Sequence, residues 1–254
     1  MRHMLERSVG GMAFALALAT GAIAAEAPAP LSIDWPQQGV FGTFDRSAVQ
    51  RGFQVFSGVC SSCHSVKYLA FRNLEALGYN DDEVAAIAAE HEVTDGPDEY
   101  GDMYERPAVA SDHMPGPFPN EEAARAANGG ALPPDLSLII KARAGGPDYL
   151  YSLLVGYEEP PEGVEVPAGM NYNAYFPGHQ IAMAQPLYDD MVEYQDGTQA
   201  TIPQMASDVT QFLAWVAEPT MEQRKVTGIT AMLFLLVLAI LFYAYKRRLW
   251  ADIH

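Results

Sequence analysis

Two cysteines separated by two residues and followed at once by a histidine lie at Cys60-Ser61-Ser62-Cys63-His64. This spacing is the attachment pattern of a c-type haem, in which each thiol adds across a vinyl group of the ring and the adjacent imidazole lies under the iron as its proximal ligand. The motif therefore predicts one covalently bound haem c on Cys60 and Cys63, with His64 as an iron ligand.

Two other uses of a cysteine pair compete with haem attachment. A structural zinc site needs about four ligands, and the sequence has no cysteine beyond these two. A redox-active Cys-x-x-Cys in a thioredoxin-like fold is the stronger rival. That fold requires alternating strands and helices, whereas strand-like runs are few in this sequence. Haem attachment is therefore the favoured interpretation.

The first 25 residues predict a secretory signal. Basic residues near the start are followed by an apolar run from 9 to about 19 and by small residues that end at Ala24 and Ala25. The run is shorter than the roughly 18–20 residues of a membrane span, and an A-x-A type cleavage site follows it. We expect cleavage after Ala24 or Ala25 and a mature chain that begins near Glu26 and faces the periplasm.

Composition and charge restrict the ligands of the region 26–220, which is long enough for one sizeable core. The 18 prolines and 21 glycines of the chain indicate long ordered loops around few helices. A formal net charge of −17 excludes nucleic acid as a natural ligand and points to a basic partner. Ten carboxylates and no lysine or arginine lie in 81–105. This run is either a solvated acidic face or a docking surface for a basic protein, which acidic groups in 158–165 and 189–193 could extend.

Helical patterns precede the haem motif and close the globular region. Asp45 or Ser47 caps a helix over 48–56, and Gly52 leaves a gap on it where another helix could cross closely. A capping box that starts at Thr201 begins a later helix with an apolar stripe along one side. This last helix of the globular region could close over the first. Between them, an apolar, helix-like pattern in 68–77 predicts core or the wall of a haem pocket.

Two loops are candidates for contact with the haem. The rigid turn at 128–136, rich in glycine and proline, could follow a flat ligand closely or be an ordinary surface turn. The segment 160–186 is longer, and loops of this length inside a compact domain are usually functional. It carries three side chains that can each reach an iron, Met170, His179 and Met183. Spacing alone does not choose among them.

The segment 226–245 predicts a transmembrane helix. It contains 20 residues without a charge, which as a helix span about 30 Å, the thickness of a bilayer core. The run is apolar on every face, which argues against a buried helix of a soluble protein. Three basic residues at 246–248 outweigh the two at 224–225, so we expect the tail 246–254 to be cytoplasmic.

Several motifs together resemble the cytochrome c1 family, the haem subunits of ubiquinol:cytochrome c reductase (bc1) complexes, over nearly the whole mature chain. They are Cys60–His64, Pro119–Asn128, Leu132–Ser137, Tyr175–Gly178 and Ile181–Ala184. The resemblance implies that Cys60 and Cys63 form the thioethers, that His64 is the proximal ligand and Met183 the distal one, and that Arg125 lies near a haem propionate.

The chain departs from some members of that family because it lacks an extra cysteine pair. One cysteine of that pair often falls where Glu158-Glu159 lies here. Packing and hydrogen bonds alone must then hold the long loop.

The motifs and the resemblance together imply a mainly α, c-type cytochrome-like helical domain with long ordered loops, plus one C-terminal transmembrane helix. The expected parts are a cleaved signal peptide at 1–25, a periplasmic haem domain at 26–220, an anchor at 226–245 and a cytoplasmic tail at 246–254. The expected location is the bacterial inner membrane, crossed once, with membrane lipid around 226–245.

The resemblance also implies electron transfer rather than catalysis by this chain alone. Single electrons would pass from the Rieske iron–sulfur protein to a basic, soluble or membrane-bound c-type cytochrome, with cytochrome b beside the anchor. The alternative class is an enzyme, either a membrane-anchored periplasmic thiol-disulfide oxidoreductase or a haem peroxidase with an open iron site.

Overall fold

The computed structural model describes residues 27–251, and the predicted signal at 1–25 lies outside them. Within the described range, the helices are α1 Arg46–Gly58, α2 Asp81–Ala89, α3 Glu121–Ala127, α4 Ile139–Ala142, α5 Gly146–Val155, α6 Ile202–Ala217 and α7 Met221–Trp250. Two antiparallel pairs of strands complete it, β1 Glu92–Asp95 with β2 Tyr104–Pro107, and β3 Asn171–Tyr172 with β4 Gln180–Ile181. The predicted mainly α domain with long loops and a C-terminal apolar helix is confirmed.

Helices α1 and α6 pack against each other in the core of the domain. A Cβ atom on Gly52 would lie 2.1 Å from the carbonyl oxygen of Asp208 and 2.7 Å from Cβ of Phe212. Only glycine therefore permits this approach. Beside the crossing, Nε and Nη2 of Arg51 each donate to the buried carboxylate of Asp208 at 3.0 Å. The gap predicted at Gly52 is confirmed as a helix crossing.

The predicted starts of the two packed helices are confirmed, with one change. Asp45 caps α1 by accepting hydrogen bonds from two backbone amides. Thr201 caps α6 by accepting from the amide of Gln204 at 3.3 Å. The capping box predicted there also requires the Gln204 side chain to accept from the backbone amide of Thr201. This part of the prediction is wrong, because the side-chain amide of Gln204 donates to Asp208 at 3.0 Å instead.

The segment after the haem motif differs from its predicted pattern. Phe71–Leu77 forms a 3₁₀ helix that ends at Gly78, whose φ of 101° requires a residue without a side chain. Phe71, Leu74 and Leu77 of this helix are buried in the core, whereas Tyr68 is 66% exposed. Tyr68 is therefore not a core residue.

Helix α7 is 30 residues long, about 45 Å. By length and composition it can cross a membrane, and its apolar side chains beyond the first turns are exposed on this chain. The predicted span 226–245 lies within it. The helix begins earlier, at Met221, whose side chain is buried in the core of the globular domain. Its first turn therefore belongs to that domain.

Hydrogen bonds join this first turn to the N-terminal segment. The Glu222 carboxylate accepts from the amide of Phe44 and from the guanidinium of Arg46, both at 2.7 Å. Nζ of Lys225 donates to two backbone carbonyls in the segment 37–42, both at 2.8 Å. The globular domain and the start of α7 are thus held as one unit.

Candidate functional site

The predicted haem attachment motif lies directly after α1. Cys60–Ser62 forms a single 3₁₀ turn, and the amides of Cys63 and His64 both donate to the carbonyl of Cys60, at 3.1 and 2.8 Å. Both thiols are free and partly buried. One tight turn therefore presents the two thiols and the imidazole that covalent haem attachment uses.

A backbone carbonyl orients His64. Nδ1 of the ring lies 2.8 Å from the carbonyl oxygen of Pro134. A carbonyl oxygen only accepts hydrogen bonds, so Nδ1 carries the proton and Nε2 is left unprotonated. Burial lowers the pKa of His64, and the hydrogen bond to Pro134, which raises it, offsets only part of that effect. His64 is therefore held with Nε2 in the form that binds a metal.

The turn 132–137 is joined to the segment after His64 through Asp135. Its carboxylate accepts from the Ser65 hydroxyl at 2.8 Å, the Lys67 amide at 2.9 Å and the Ser137 amide at 3.0 Å. Burial alone would raise the pKa of Asp135, but these hydrogen bonds lower it on balance. Asp135 thus fixes the carbonyl of Pro134 beside His64. Prolines in the sequence indicate a rigid turn here but give no sign of this role.

Arg125 is exposed on α3, the helix that precedes this turn. Its Nη1 donates to the carbonyl of Gly130 at 3.2 Å, and its own carbonyl accepts from the amide of Gly130 at 2.8 Å. Within residues 27–251 its guanidinium makes no other hydrogen bond. Since a guanidinium carries five donors, most of them stay available for an anion such as a carboxylate.

Met183 is partly buried and packs against the main core, as Cys60 does. Its carbonyl accepts from the hydroxyl of Tyr157 at 3.0 Å and from Nδ2 of Asn171 at 3.3 Å. Burial raises the pKa of Tyr157, which keeps its hydroxyl protonated as a donor. The backbone of Met183 is thus held by the segment that follows α5 and by β3. Among the described residues, no hydrogen bond joins Met183 to the turn that carries His64.

A buried asparagine orders the turn before Met183. Asn173 has no exposed surface. Its Nδ2 donates to the carbonyl of Leu153 in α5 at 2.8 Å, and its Oδ1 accepts from the amides of Tyr175 and Phe176, both at 3.1 Å. Non-covalent bonds thus hold the long loop to α5, as expected for a chain without the extra cysteine pair.

The other two candidate ligands in this loop have different surroundings. His179 has a φ of 59°, and its ring stacks on Tyr172 with 5.6 Å between the ring centroids. Met170 is partly buried, and its amide closes a turn onto the carbonyl of Pro167 at 3.0 Å. Of the three candidates, Met183 is the one that packs against the main core.

The thiols are not arranged for disulfide exchange. Burial raises the pKa of Cys60 to about 12, and the neighbouring Cys63 adds to the rise, whereas a reactive Cys-x-x-Cys has a thiol with a lowered pKa. The described residues contain two antiparallel strand pairs and no parallel sheet. They also contain no group of three or more His, Cys, Asp and Glu side chains that could hold a metal ion. The donors present, an imidazole and a thioether with two thiols for attachment, fit a haem c.

Comparison with known proteins identifies the family of the chain. Residues 35–253 match the model of the Cytochrome C1 family. "Cytochrome c1" of Rhodospirillum rubrum is 47% identical, over 100% of this chain and 99% of that protein. "Cytochrome c1, heme protein, mitochondrial" of Schizosaccharomyces pombe is 52% identical, over 87% and 72%. "Cytochrome b/c1" of Bradyrhizobium diazoefficiens is 50% identical, over 87% and 35%. The chain belongs to the cytochrome c1 family.

Proposed function

We propose that this chain is the haem subunit of a respiratory or photosynthetic bc1 complex. It passes single electrons from the Rieske iron–sulfur protein to a soluble or membrane-bound c-type cytochrome and catalyses no reaction by itself. Membership of the cytochrome c1 family supports this function. The observation that carries it is the 2.8 Å hydrogen bond between Nδ1 of His64 and the Pro134 carbonyl, because it leaves Nε2 for an iron.

Each site residue then has a separate task. Cys60 and Cys63 attach the haem through thioethers, and His64 is the proximal ligand. Met183 is the distal ligand, on a backbone that Tyr157 and Asn171 hold by its carbonyl. When bound, the haem supplies an iron that gains and loses one electron, and a methionine ligand raises its potential.

Arg125 pairs with a haem propionate in this proposal. Its exposed guanidinium has donors left beyond the one bound to Gly130. Arg125 at the end of α3 is bonded to Gly130, which begins the segment that leads to Pro134. This stretch of chain would therefore hold a propionate at one end and the proximal ligand at the other.

Neither alternative enzyme is favoured by the geometry. A thiol-disulfide oxidoreductase needs a thiolate, and burial raises the pKa of Cys60 instead. A haem peroxidase needs an open position on the iron, which the proposed ligation by Met183 fills. The loop that carries Met183 is bonded to α5 rather than free to move away.

The proposed topology places the haem domain, 26–220, on the periplasmic side after removal of the signal at 1–25. The anchor at 226–245 crosses the inner membrane once, and the tail at 246–254 is cytoplasmic, as the excess of basic residues at 246–248 favours. Cytochrome b lies beside the anchor. The name "Cytochrome b/c1" of the Bradyrhizobium relative supports this neighbour.

The acidic surface in 81–105 is proposed to steer the basic cytochrome that accepts the electron. Glu99 and Asp102 are exposed there, beside exposed Tyr100 and Met103. Asp98 has a structural task, because its carboxylate accepts from the amides of Tyr100 and Asp102. The pair Glu99 and Asp102 therefore tests steering without loss of the loop.

Stopped-flow oxidation of the reduced chain by a basic c-type cytochrome tests this function. The rate should fall steeply with added salt, because exposed charges are screened beyond about 8 Å at physiological ionic strength. Neutralising Glu99 and Asp102 to their amides should flatten the salt dependence more than the matched change at Glu158 and Glu159. Equal slopes would show that the acidic surface does not steer docking. No oxidation at any ionic strength would contradict the electron-transfer function itself.

A further inference from the structure

A groove opens between the loop Gly39–Phe41 and the first turns of α7. Its volume is about 710 Å³. The residues that define it are Gly39, Val40, Arg224, Lys225, Gly228 and Met232. Basic residues line its end towards the globular domain, and apolar residues line its continuation along the helix.

The loop Gly39–Phe41 is held beside the point on α7 where the uncharged stretch begins. Lys225 donates to the carbonyls of Gln37 and Gly42, both at 2.8 Å, which holds the loop to the helix. The uncharged stretch of α7 begins at the next residue, Val226. On the loop, Val40 is 63% exposed and Phe41 84% exposed. Apolar side chains exposed together mark a contact surface, and at this level of a membrane helix that surface meets the boundary between water and lipid.

The groove has the charge that attracts an anion. Both charged residues in its lining, Arg224 and Lys225, are basic, in a chain whose net charge is −17. Glu218 pairs with Arg224. Lys225 is bonded to two carbonyls instead of a carboxylate, so its charge is not neutralised. An ammonium group has three donors, and these carbonyls occupy two of them.

We propose that this groove binds one anionic phospholipid of the leaflet that faces the haem domain. The phosphate lies at Arg224 and Lys225, and an acyl chain follows the helix past Gly228 and Met232. A phospholipid has an anionic headgroup followed by an apolar chain. The groove has basic residues at one end followed by apolar residues, so the two match in order. The site requires that α7 spans a bilayer, and it is independent of haem binding and electron transfer.

A matched pair of leucine substitutions tests the groove. A Cβ atom on Gly228 meets no atom within 4 Å, so Gly228→Leu fills the groove without a clash in the fold. Thr230→Leu is the control, because two residues further along a helix lie about 200° round its axis. Thr230 donates only to the carbonyl of Val226 within α7.

The full-length chain and both variants would be placed in nanodiscs of phosphatidylcholine and phosphatidylglycerol, and the retained lipids counted by native mass spectrometry. The parent and Thr230→Leu should keep phosphatidylglycerol in preference to phosphatidylcholine, and Gly228→Leu should keep neither. Arg224→Gln should lower the preference by at most about fivefold, the weight of one basic residue near an anionic surface, because Glu218 already offsets part of the Arg224 charge. The haem spectrum of every variant should match that of the parent.

Two results would overturn the proposal. The first is equal retention of the two lipids by the parent, or retention of phosphatidylglycerol by Gly228→Leu at the parent's level. The second is a purified complex that loses a neighbouring subunit in Gly228→Leu but keeps it in Thr230→Leu, since the groove would then hold a protein helix. Loss of the haem spectrum in the parent would contradict the proposed function without bearing on the lipid site.

Discussion

At the scale of single residues, the loop that carries Met183 depends on the buried side chain of Asn173. Asn173→Ala leaves one carbonyl and two amides without their partner. Each such group costs roughly 1–3 kcal/mol when it stays buried, so we expect the free energy of unfolding to fall by about 3 kcal/mol. Urea unfolding measures this.

Asn171→Ala is the matched control for this change, because Asn171 is only partly buried and makes one 3.3 Å bond to Met183. It should cost about 1 kcal/mol, the net value of an ordinary hydrogen bond. Equal losses for the two variants would mean that the bonds of Asn173 do not hold the loop.

A second residue-scale prediction concerns acid. Arg106 donates to Asp112 from Nη1 and Nη2, at 2.6 and 3.1 Å, and this pairing lowers the pKa of Asp112 to about 2. The folded pKa lies below the unfolded value of about 3.9. The contribution of Asp112 to stability is therefore complete above about pH 4 and is lost as the pH falls through about 2.

Urea unfolding of the parent and of Asp112→Asn across this pH range checks the sign. The parent should be the more stable protein at about pH 5, and the difference should shrink as the pH falls towards about 2. A difference that grows in acid would show that Arg106 does not hold Asp112 ionised in the folded state.

Single residues could be predicted from the sequence where the signal is local. Cys60, Cys63 and His64 share one short motif, so spacing alone predicts haem attachment for them, and the structure places all three in one tight turn. Asp135 and Asn173 carry no such signal, because their partners Ser65 and Leu153 lie far away in the chain. The roles of Asp135 and Asn173 depend on contacts between distant segments, which the sequence alone does not predict.

At the scale of the elements, the crossing of α1 and α6 depends on Gly52. Gly52→Ala would place a methyl group 2.1 Å from the carbonyl oxygen of Asp208, so the helices must move apart. Overpacking of this kind costs typically 1–3 kcal/mol, and strain on the Arg51–Asp208 pair at the same crossing adds to the cost. We expect a loss of about 3 kcal/mol or more in the free energy of unfolding.

Gly58→Ala is the control for this element, because it lies at the end of the same helix and its Cβ meets no atom within 4 Å. It should be neutral or stabilise the domain by up to about 1 kcal/mol, as alanine restricts the unfolded chain. Thermal unfolding of both variants measures these changes. A Gly52→Ala variant as stable as the parent would contradict the close crossing of α1 and α6.

The boundaries of the helices could likewise be predicted where residues close in sequence determine them, and could not where distant residues do. The caps at Asp45 and Thr201 were predictable, since a cap and its amides are neighbours in sequence. The start of α7 at Met221 was not, because it rests on burial of Met221 and on the bond from Phe44 to Glu222. Hydropathy alone locates the uncharged stretch and misses the first turn.

At the scale of the whole molecule, the globular domain and α7 are joined by a short, fixed connection and not by a free linker. Only three residues separate α6 from α7, and Glu222 and Lys225 bind the N-terminal segment. The position of the Cys60–His64 motif relative to α7 is therefore set by the fold.

Spectroscopy of the proposed iron ligands is the most direct test of the function proposed for the whole molecule. The full-length chain should show a c-type α band when reduced, unchanged by carbon monoxide, and a sulfur-to-iron charge-transfer band towards the red end when oxidised. Met183→Leu should lose that band and lower the potential, because the thioether is removed, whereas Met170→Leu should keep both. A Met183→Leu variant with the band and potential of the parent, beside a Met170→Leu variant without them, would contradict the ligand assignment. The absence of any haem band would contradict the function itself.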